Sequence, residues 1–325
     1  MNGKWVLRPQ DRGGTDAAQV GEKSASLAEL ARGGIRVPAG FVVTADAYRE
    51  FAQQAGLGPV IAGELRRYRA GRDVVAVAAA IRTAFCEAAL PPALAAEILG
   101  AYQELGGDGT EVAVRCSPVA AQDDVRDEVF LHLRSGADIL AACRRCFASL
   151  FSSVAVGNRE LRGPDHLAAV MPVAVQRMVR SDLGASGTAR GENTFVRVRA
   201  GWGLGEPPAG DPDLYSVHPG ARPMIVRHRG AKRTKTVYAD PHGTHTIPTT
   251  PEERSQLVLT DDELQELARW SVEVDKHFKR PMELEWAKEG RSGNLYLIEV
   301  RHRAMRRVTI AEPTPAVRIP RRLRG

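Results

Sequence analysis

The stretch ELEWAKEGRSGNLYLIEVRHR, residues 283–303, contains two short apolar runs separated by a turn-like segment. ELEWA and LYLIEV are rich in aromatic and aliphatic residues with carboxylates at intervals, a pattern typical of half-buried β-strands. The intervening KEGRSGN supplies the glycines and asparagine of a hairpin turn. The sequence therefore predicts two antiparallel strands, over 283–287 and 295–300.

Charged side chains collect on one face of this predicted hairpin. Successive strand side chains alternate, so Glu283 and Glu285 share a face, and Leu297, Glu299 and Arg301 share another. Pairing the strands gathers three carboxylates and one guanidinium on one surface. Such carboxylates repel unless a cation lies among them, and Mg²⁺ prefers oxygen ligands. Spacing alone leaves two interpretations open, a metal site and a solvated polar face.

Moving outward, VGEKSASLAELARGGIRVPAGFVVTADAYREF, residues 20–51, predicts a helix, a short strand and a second helix capped by Thr44. Lys23 lies beside a glycine at the start of the first helix. Backbone N–H groups and the helix dipole favour phosphate at such a position. A lysine at a helix start is also a common surface residue, so this position alone does not decide between the two.

Strand and helix patterns alternate through the rest of the chain. Strands are predicted at 111–115, 129–133, 171–179 and 195–199, helices within 58–104, 137–151 and from Thr260, and a hairpin from 224–228 and 235–238. This mixture predicts an α/β or α+β fold.

Bulk composition is that of an ordinary globular protein. The chain has 325 residues, 43% hydrophobic and 26% charged, which suits one large domain or two lobes sharing a cleft. We find no run of eighteen apolar residues and no apolar segment near the N-terminus, so we expect no membrane span and no secretory signal. The expectation is a cytoplasmic protein with reduced thiols.

Cys143 and Cys146 form a CxxC pair within ILAACRRCFASLF. A zinc site needs further ligands, and a redox site needs a turn, whereas this segment has unbroken helical periodicity. We therefore predict two structural helix positions.

The net charge of +6 is concentrated near the C-terminus, where residues 301–325 hold eight arginines against one acid, Glu312. With three prolines in this segment, residues 304–325 are predicted to form a basic, mobile tail. Acidic partners, membranes and nucleic acid all attract such a tail, but no aromatic residue interleaves the arginines for base stacking, so nucleic-acid binding is not favoured.

Several of these motifs together resemble the nucleotide-binding domain of the phosphoenolpyruvate synthase, pyruvate phosphate dikinase and rifampicin phosphotransferase family. The hairpin is similar to the family's DIEWA, turn and LYILQARP. The segment from Gly21 resembles GGKNASLGEM and VPPGFVVTT, and VAVRCSPVAAQDD at 112–124 resembles VAVRSSATAED. The resemblance implies an ATP-grasp fold, with ATP between two lobes. We divide the chain into 1–110, 111–303 and the tail 304–325.

The resemblance also assigns roles to residues. It implies a phosphate and metal set: Lys23 on ATP, Arg115 on the terminal phosphate, Arg301 on phosphate, Glu285 and Glu299 on Mg²⁺, and Glu283 in support. It implies a second set on the adenine side: Gln176, Met178 and Val179.

Two segments depart from the family pattern. The loop after Arg115 is shorter and lacks the glycine-containing part, and the segment after Val179 is also shorter. None of the eight histidines lies in the family's phosphate-accepting GGxxSH context. We therefore expect a separate phosphohistidine or substrate-binding protein as partner, with pyruvate and a drug both open as final acceptors. The alternative is a nucleotide sensor or scaffold that transfers nothing.

Overall fold

The computed structural model describes residues 4–119, 128–163, 165–205, 211–219, 224–239 and 244–302. The predicted tail, the middle of the loop after Arg115 and His242 lie outside these residues. The described strands are β1 Val6–Leu7, β2 Gly40–Val43, β3 Val112–Cys116, β4 Val129–Leu133, β5 Val173–Arg177, β6 Ala185–Glu192, β7 Phe195–Trp202, β8 Asp213–His218, β9 Met224–His228, β10 Thr234–Tyr238, β11 Thr244–Pro248, β12 Met282–Lys288 and β13 Leu295–His302. The described helices are α1 Ala17–Val20, α2 Glu22–Arg32, α3 Ala45–Gln54, α4 Leu57–Arg69, α5 Val74–Glu87, α6 Pro92–Leu105, α7 Gly136–Ser149, α8 Ser153–Arg162, α9 Pro251–Ser255 and α10 Asp261–Phe278.

The first sheet has the strand order β1-β2-β5-β3-β4, and each neighbouring pair is antiparallel. Helices α3 to α8 contribute to the core that packs on it. At the centre of that core, Tyr48 and Phe51 from α3 contact Phe147 from α7 at ring-centroid distances of 5.4 and 5.5 Å. Burying one such side chain contributes about 1.5–3 kcal/mol, so this packing stabilises the layer of helices on the first sheet.

Helix α7 accounts for the CxxC pair, because Cys143 and Cys146 both lie fully buried on its core-facing side. They are free thiols, and burial raises the pKa of Cys143 to about 12. A thiol that stays protonated is neither a metal ligand nor a nucleophile, so the predicted structural role is confirmed.

One stretch of the described residues, Gly136–Arg162, is apolar and long enough to pass a length-and-composition test for a membrane span. It comprises α7 and α8, and 61% of its apolar 18-residue window is buried within the protein. Side chains such as Ile139 and Phe147 lie in the first core. The stretch therefore has the packing of a core helix.

The second sheet has the order β13-β12-β6-β7-β8-β9 and is also antiparallel between neighbours. Helix α10 covers one of its faces and begins with the predicted capping box, in which the Thr260 and Glu263 side chains each bind the other residue's backbone N–H. Leu264 and Leu267 of α10 pack with Trp286 in the second core. The mixed α/β fold class is thus confirmed.

Helix α2 lies between the two sheets. Its Ala25 packs with Val42 and Ala174 of the first sheet. Its Leu27 and Leu30 belong to the core of the second sheet. One short helix therefore fixes how the sheets face each other, and its N-terminus lies where they meet.

The predicted hairpin of 224–228 and 235–238 is wrong. β9 pairs with β8, whereas β10 pairs with β11 in a separate two-stranded sheet. The cause is the buried carboxylate of Asp213, which accepts hydrogen bonds from the Gly230 backbone and the Lys232 ammonium. This anchors the connecting segment beside β8 instead of leaving it as a tight turn.

The first core includes residues from both sides of position 110, for example Ile98 and Val175. The division of the chain at residue 110 stays a prediction.

Candidate functional site

The carboxylate face of the hairpin forms largely as predicted. In the β12–β13 register Glu285 lies opposite Glu299, and Glu283 lies opposite Arg301. A β-bulge follows Glu285, so that Leu297 lies opposite Trp286 in the second core. Leu297 therefore does not share the face of Glu299, and that part of the alternation prediction is wrong. The bulge keeps the polar face while turning the following residues toward the core.

Glu299 lies at the centre of a network of cations. Its side chain is 9% exposed and contacts the Lys23 Nζ at 3.0 Å and the Arg301 Nε at 3.0 Å. The Arg115 guanidinium lies 3.7 Å from its other oxygen. Arg301 also reaches Glu285, at 2.8 Å. The five residues assigned to phosphate and metal thus converge, although they come from α2, β3, β12 and β13.

Burial alone would raise the pKa of Glu299, but the Arg301 hydrogen bond and the Lys23 charge outweigh it and hold the pKa below its usual value of 4.5. A carboxylate with a depressed pKa stabilises the fold above its unfolded pKa, and this stabilisation is lost as pH falls through the folded pKa.

We therefore expect Glu299→Gln to cost about 1–3 kcal/mol of unfolding free energy near pH 7, because three cations lose their shared partner. The difference from the unmodified protein should shrink as pH falls below about 4.5 and through the lower pKa of Glu299 in the folded state. Urea unfolding at several pH values measures it. Glu273→Gln, at an exposed position of α10, is the control, and an equal pH dependence in both variants would contradict the assignment.

Lys23 is held in place by a contact that is remote in sequence. The N-cap of α2 is Gly21, whose missing side chain cannot cap the helix. Ser117, just after β3, substitutes: its Oγ accepts the Ser24 backbone N–H at 3.3 Å and donates to the Val20 carbonyl at 2.9 Å. This cap, supplied by a residue distant in sequence, ties the start of α2 to the end of the strand that carries Arg115.

Gly21 is required for this approach. Its φ of 78° and ψ of 158° fall in a region that is essentially restricted to glycine, and an added Cβ would lie 1.8 Å from the Ser117 carbonyl oxygen. Gly21→Ala should therefore lower the free energy of unfolding by about 3 kcal/mol or more. Gly34→Ala is the matched control, since Gly34 has a φ of +91° and open space around it. Equal losses in the two variants, measured by urea unfolding, would exclude the clash.

Arg115 extends from β3 between the buried residues Val114 and Cys116. Its Nε is buried and has no hydrogen-bond partner among the residues that the structure describes. Its nearest carboxylate contact, at 3.7 Å, is long. A buried donor without a partner costs roughly 1–3 kcal/mol, so the position favours an anionic ligand that would accept from it.

A cleft between the two sheets opens beside these charges. It encloses about 700 Å³, including space open to solvent. Gln176, Met178 and Val179 all line it, as do Arg115 and Glu285. Predicted adenine-side and phosphate-side residues therefore belong to one cleft. Arg301 contacts the lining residue Glu285, Glu299 lies 3.7 Å from the lining residue Arg115, and Lys23 contacts Glu299.

Tyr238 forms part of the cleft wall and was not singled out from the sequence. It comes from β10, and its ring stacks on His132 at a centroid distance of 4.8 Å. Its hydroxyl lies 3.9 Å from the Met178 sulfur. A planar aromatic wall beside Met178 suits a flat ring in the ligand. The sequence signal was only the tyrosine in KTVYAD.

The segment after Met178 is braced by ion pairs. Arg180 donates from two guanidinium nitrogens to Asp182, both at 2.8 Å, and its third nitrogen lies 3.3 Å from Glu111. The Asp182 hydrogen bond raises the pKa of Arg180, and the Glu111 charge contributes. Glu111 immediately precedes β3, so these pairs tie the link between the sheets to the strand that carries Arg115.

The donor set fits a magnesium ion bound together with phosphates. In the part of the chain that the structure describes, no group of three or more His, Cys, Asp or Glu side chains could hold a metal by itself. Magnesium is commonly held by one or two carboxylates plus substrate phosphates, and Glu285 and Glu299 supply such a pair. Glu283 lies two residues before Glu285 on the same strand, and Arg190 approaches it at 3.9 Å. Its supporting role stays a prediction.

Two antiparallel sheets that meet at a cleft, with an aromatic wall at one end and paired cations and carboxylates at the other, define a mixed α/β nucleotide-binding domain. Comparison with known proteins supports this class. The family described as pyruvate phosphate dikinase, AMP/ATP-binding domain, matches residues 17–317. The chain belongs to this family.

Similar proteins include phosphoenolpyruvate synthases. The one from Deinococcus radiodurans is 37% identical, with 88% of this chain and 40% of the relative covered. The one from Escherichia coli K12 is 36% identical, with 93% of this chain and 42% of the relative covered. A probable phosphoenolpyruvate synthase of Methanocaldococcus jannaschii is 31% identical over 92% of this chain and 26% of its own length. The chain thus spans about two fifths of the first two relatives.

Proposed function

We propose that the cleft binds ATP as its magnesium complex and that the domain passes a phosphoryl group to a histidine on a separate protein. The observation that carries the proposal is the convergence of Lys23, Arg115, Glu285, Glu299 and Arg301 beside one cleft. The adenine would lie against Met178, Val179 and Tyr238, with the Gln176 amide available for hydrogen bonds to the base.

The phosphates would lie toward Lys23, Arg115 and Arg301. Phosphoryl transfer is catalysed mainly by positioning and by stabilisation of charge on the transferring group. Glu285 and Glu299 would hold magnesium, which neutralises phosphate charge when bound. In the structure these carboxylates contact Lys23 and Arg301, and phosphate together with magnesium would offer both sets of charges new partners.

An acceptor outside the cleft is consistent with the lining. No histidine is among the described residues that line the cleft. His132 lies behind the wall, with its Nε2 3.3 Å from Glu111. The partner protein and its final substrate therefore remain part of the proposal.

A second candidate function is a nucleotide sensor or scaffold that binds ATP without transfer. It is favoured by the loop after Arg115, since residues 118–130 contain no glycine. Glycine-rich loops supply the closely placed backbone N–H groups that cradle a transferring phosphate.

One experiment separates the two functions. The purified chain is incubated with radiolabelled ATP, magnesium and purified proteins from the same genome that carry a GGxxSH segment. Acid-labile, magnesium-dependent label on such a protein supports transfer. ATP binding without label on any of them, and without loss of phosphate from ATP, supports the sensor.

A further inference from the structure

The face of the second sheet that turns away from α10 carries three arginines next to the carboxylates. Along β7, Val196 and Val198 are buried in the second core, whereas Arg197 and Arg199 alternate with them and are exposed on the opposite face. Arg190 of β6 lies directly opposite Arg197. We refer to Arg190, Arg197 and Arg199 as the arginine strip.

Strand register places the strip in line with the candidate metal ligands. Glu299 lies opposite Glu285, Glu285 opposite Thr188, and Thr188 opposite Arg199. Directly opposite residues in antiparallel strands share a face. Neighbouring strands are about 4.8 Å apart, so the Arg199 backbone is about 10 Å from that of Glu285. A long arginine side chain on this face extends over the surface beside the carboxylates.

The strip has more positive charge than its local acids balance. Glu192 lies 3.0 Å from the Arg190 Nε and 3.9 Å from the Arg197 Nε, so two guanidiniums share one carboxylate. Glu283 lies a further 3.9 Å from Arg190. Arg199 has no ion pair or side-chain hydrogen bond with any residue in the described part of the chain.

Charge on this face therefore differs across the sheet. The carboxylates of β12 and β13 are balanced by Lys23, Arg115 and Arg301, whereas guanidiniums are in excess on β6 and β7. A magnesium–phosphate group has the complementary arrangement, with its cation toward the carboxylates and phosphate oxygens toward the guanidiniums. Arginine binds phosphate strongly because its planar fork donates two hydrogen bonds at once.

We propose that the arginine strip is a binding site for a phosphoryl anion beside the carboxylates, with Arg199 as its main contact. The inference rests on the proposed function and deepens it, because it assigns a second set of phosphate contacts on the far side of the metal ligands. Two sources supply this chemistry: the terminal phosphate of the bound nucleotide, and a separate anion such as inorganic phosphate.

The test is isothermal titration of the unmodified chain, Arg199→Gln and Arg269→Gln. Arg269 is an exposed arginine of α10, on the other side of the same sheet, and serves as the matched control. The probes are adenylyl imidodiphosphate, AMP, and inorganic phosphate with and without AMP, all in magnesium. Both substitutions are at exposed positions, and unchanged thermal unfolding would verify folding.

We expect Arg199→Gln to weaken binding of either adenylyl imidodiphosphate or inorganic phosphate about tenfold and to leave AMP binding unchanged. Arg269→Gln should bind every probe as the unmodified chain does. Loss with the triphosphate analogue identifies the nucleotide's terminal phosphate, and loss confined to inorganic phosphate identifies a separate anion. Arg199→Lys should recover part of the loss. Equal binding of every probe by Arg199→Gln and the unmodified chain would overturn the inference.

The same titrations distinguish failure of the inference from failure of the proposed function. If the unmodified chain binds neither the ATP analogue nor AMP, the proposed nucleotide function fails. If inorganic phosphate still binds in that case and its binding depends on Arg199, the result supports the arginine strip as an anion-binding site. Intact analogue binding without dependence on Arg199 contradicts the strip and leaves the proposed function standing.

Discussion

Replacing Glu285 and Glu299 together by glutamine is expected to remove the magnesium dependence of ATP-analogue binding. The two carboxylates lie opposite each other at the cleft and form the pair that the proposal assigns to the metal. Charge-assisted contacts are worth about 1.5–3 kcal/mol each, so the loss of two should lower affinity in magnesium by at least about 100-fold. Titration with adenylyl imidodiphosphate, with and without magnesium, measures the change.

In the absence of magnesium, the affinity of the double variant for the ATP analogue should rise or stay constant. Lys23 and Arg301 contact the two carboxylates in the structure, and their charges become available to phosphate when the carboxylates are neutral. Glu273→Gln is the matched control, because Glu273 is an exposed carboxylate of α10, on the other side of the second sheet. A double variant that keeps the full magnesium effect would exclude these residues as ligands.

Arg115→Gln is expected to weaken ATP-analogue binding by about 10- to 100-fold and to leave adenosine binding unchanged. The Arg115 Nε is buried without a partner in the described structure, and its contact to Glu299 is long. A bound phosphate would accept a hydrogen bond from the Arg115 Nε and would balance the charge of the guanidinium. The difference between the two ligands isolates the phosphate contribution from the packing of the base.

Lys276→Ala, at an exposed position of α10, controls for a general change in net charge. Urea unfolding should show that Arg115→Gln keeps most of its stability, because the substitution also removes a buried donor that lacks a partner. Equal loss of adenosine and ATP-analogue affinity would instead indicate a distorted cleft and would contradict a specific phosphate contact.

The sequence predicted much of the carboxylate hairpin because strand alternation is a local property. Glu283, Glu285, Glu299 and Arg301 all lie on one face, as their spacing indicated. The bulge was not predictable, since an extra residue is defined only by the strand that it pairs with. Leu297 was therefore assigned to the wrong face.

Convergence of the site was predictable only through the family resemblance. Lys23 and Arg115 are far apart in the chain, and the contact that unites their elements is the Ser117 cap on α2. No local sequence pattern identifies a helix cap that is supplied by a residue distant in the chain. The same limitation explains β9 and β10, whose apparent hairpin is broken by the distant Asp213.

The most direct test of the central claim is titration of the unmodified chain with adenylyl imidodiphosphate, with and without magnesium. We predict micromolar binding in magnesium and clearly weaker binding in its absence, because Glu285 and Glu299 then repel the phosphates. No binding at millimolar nucleotide in either condition would contradict the account.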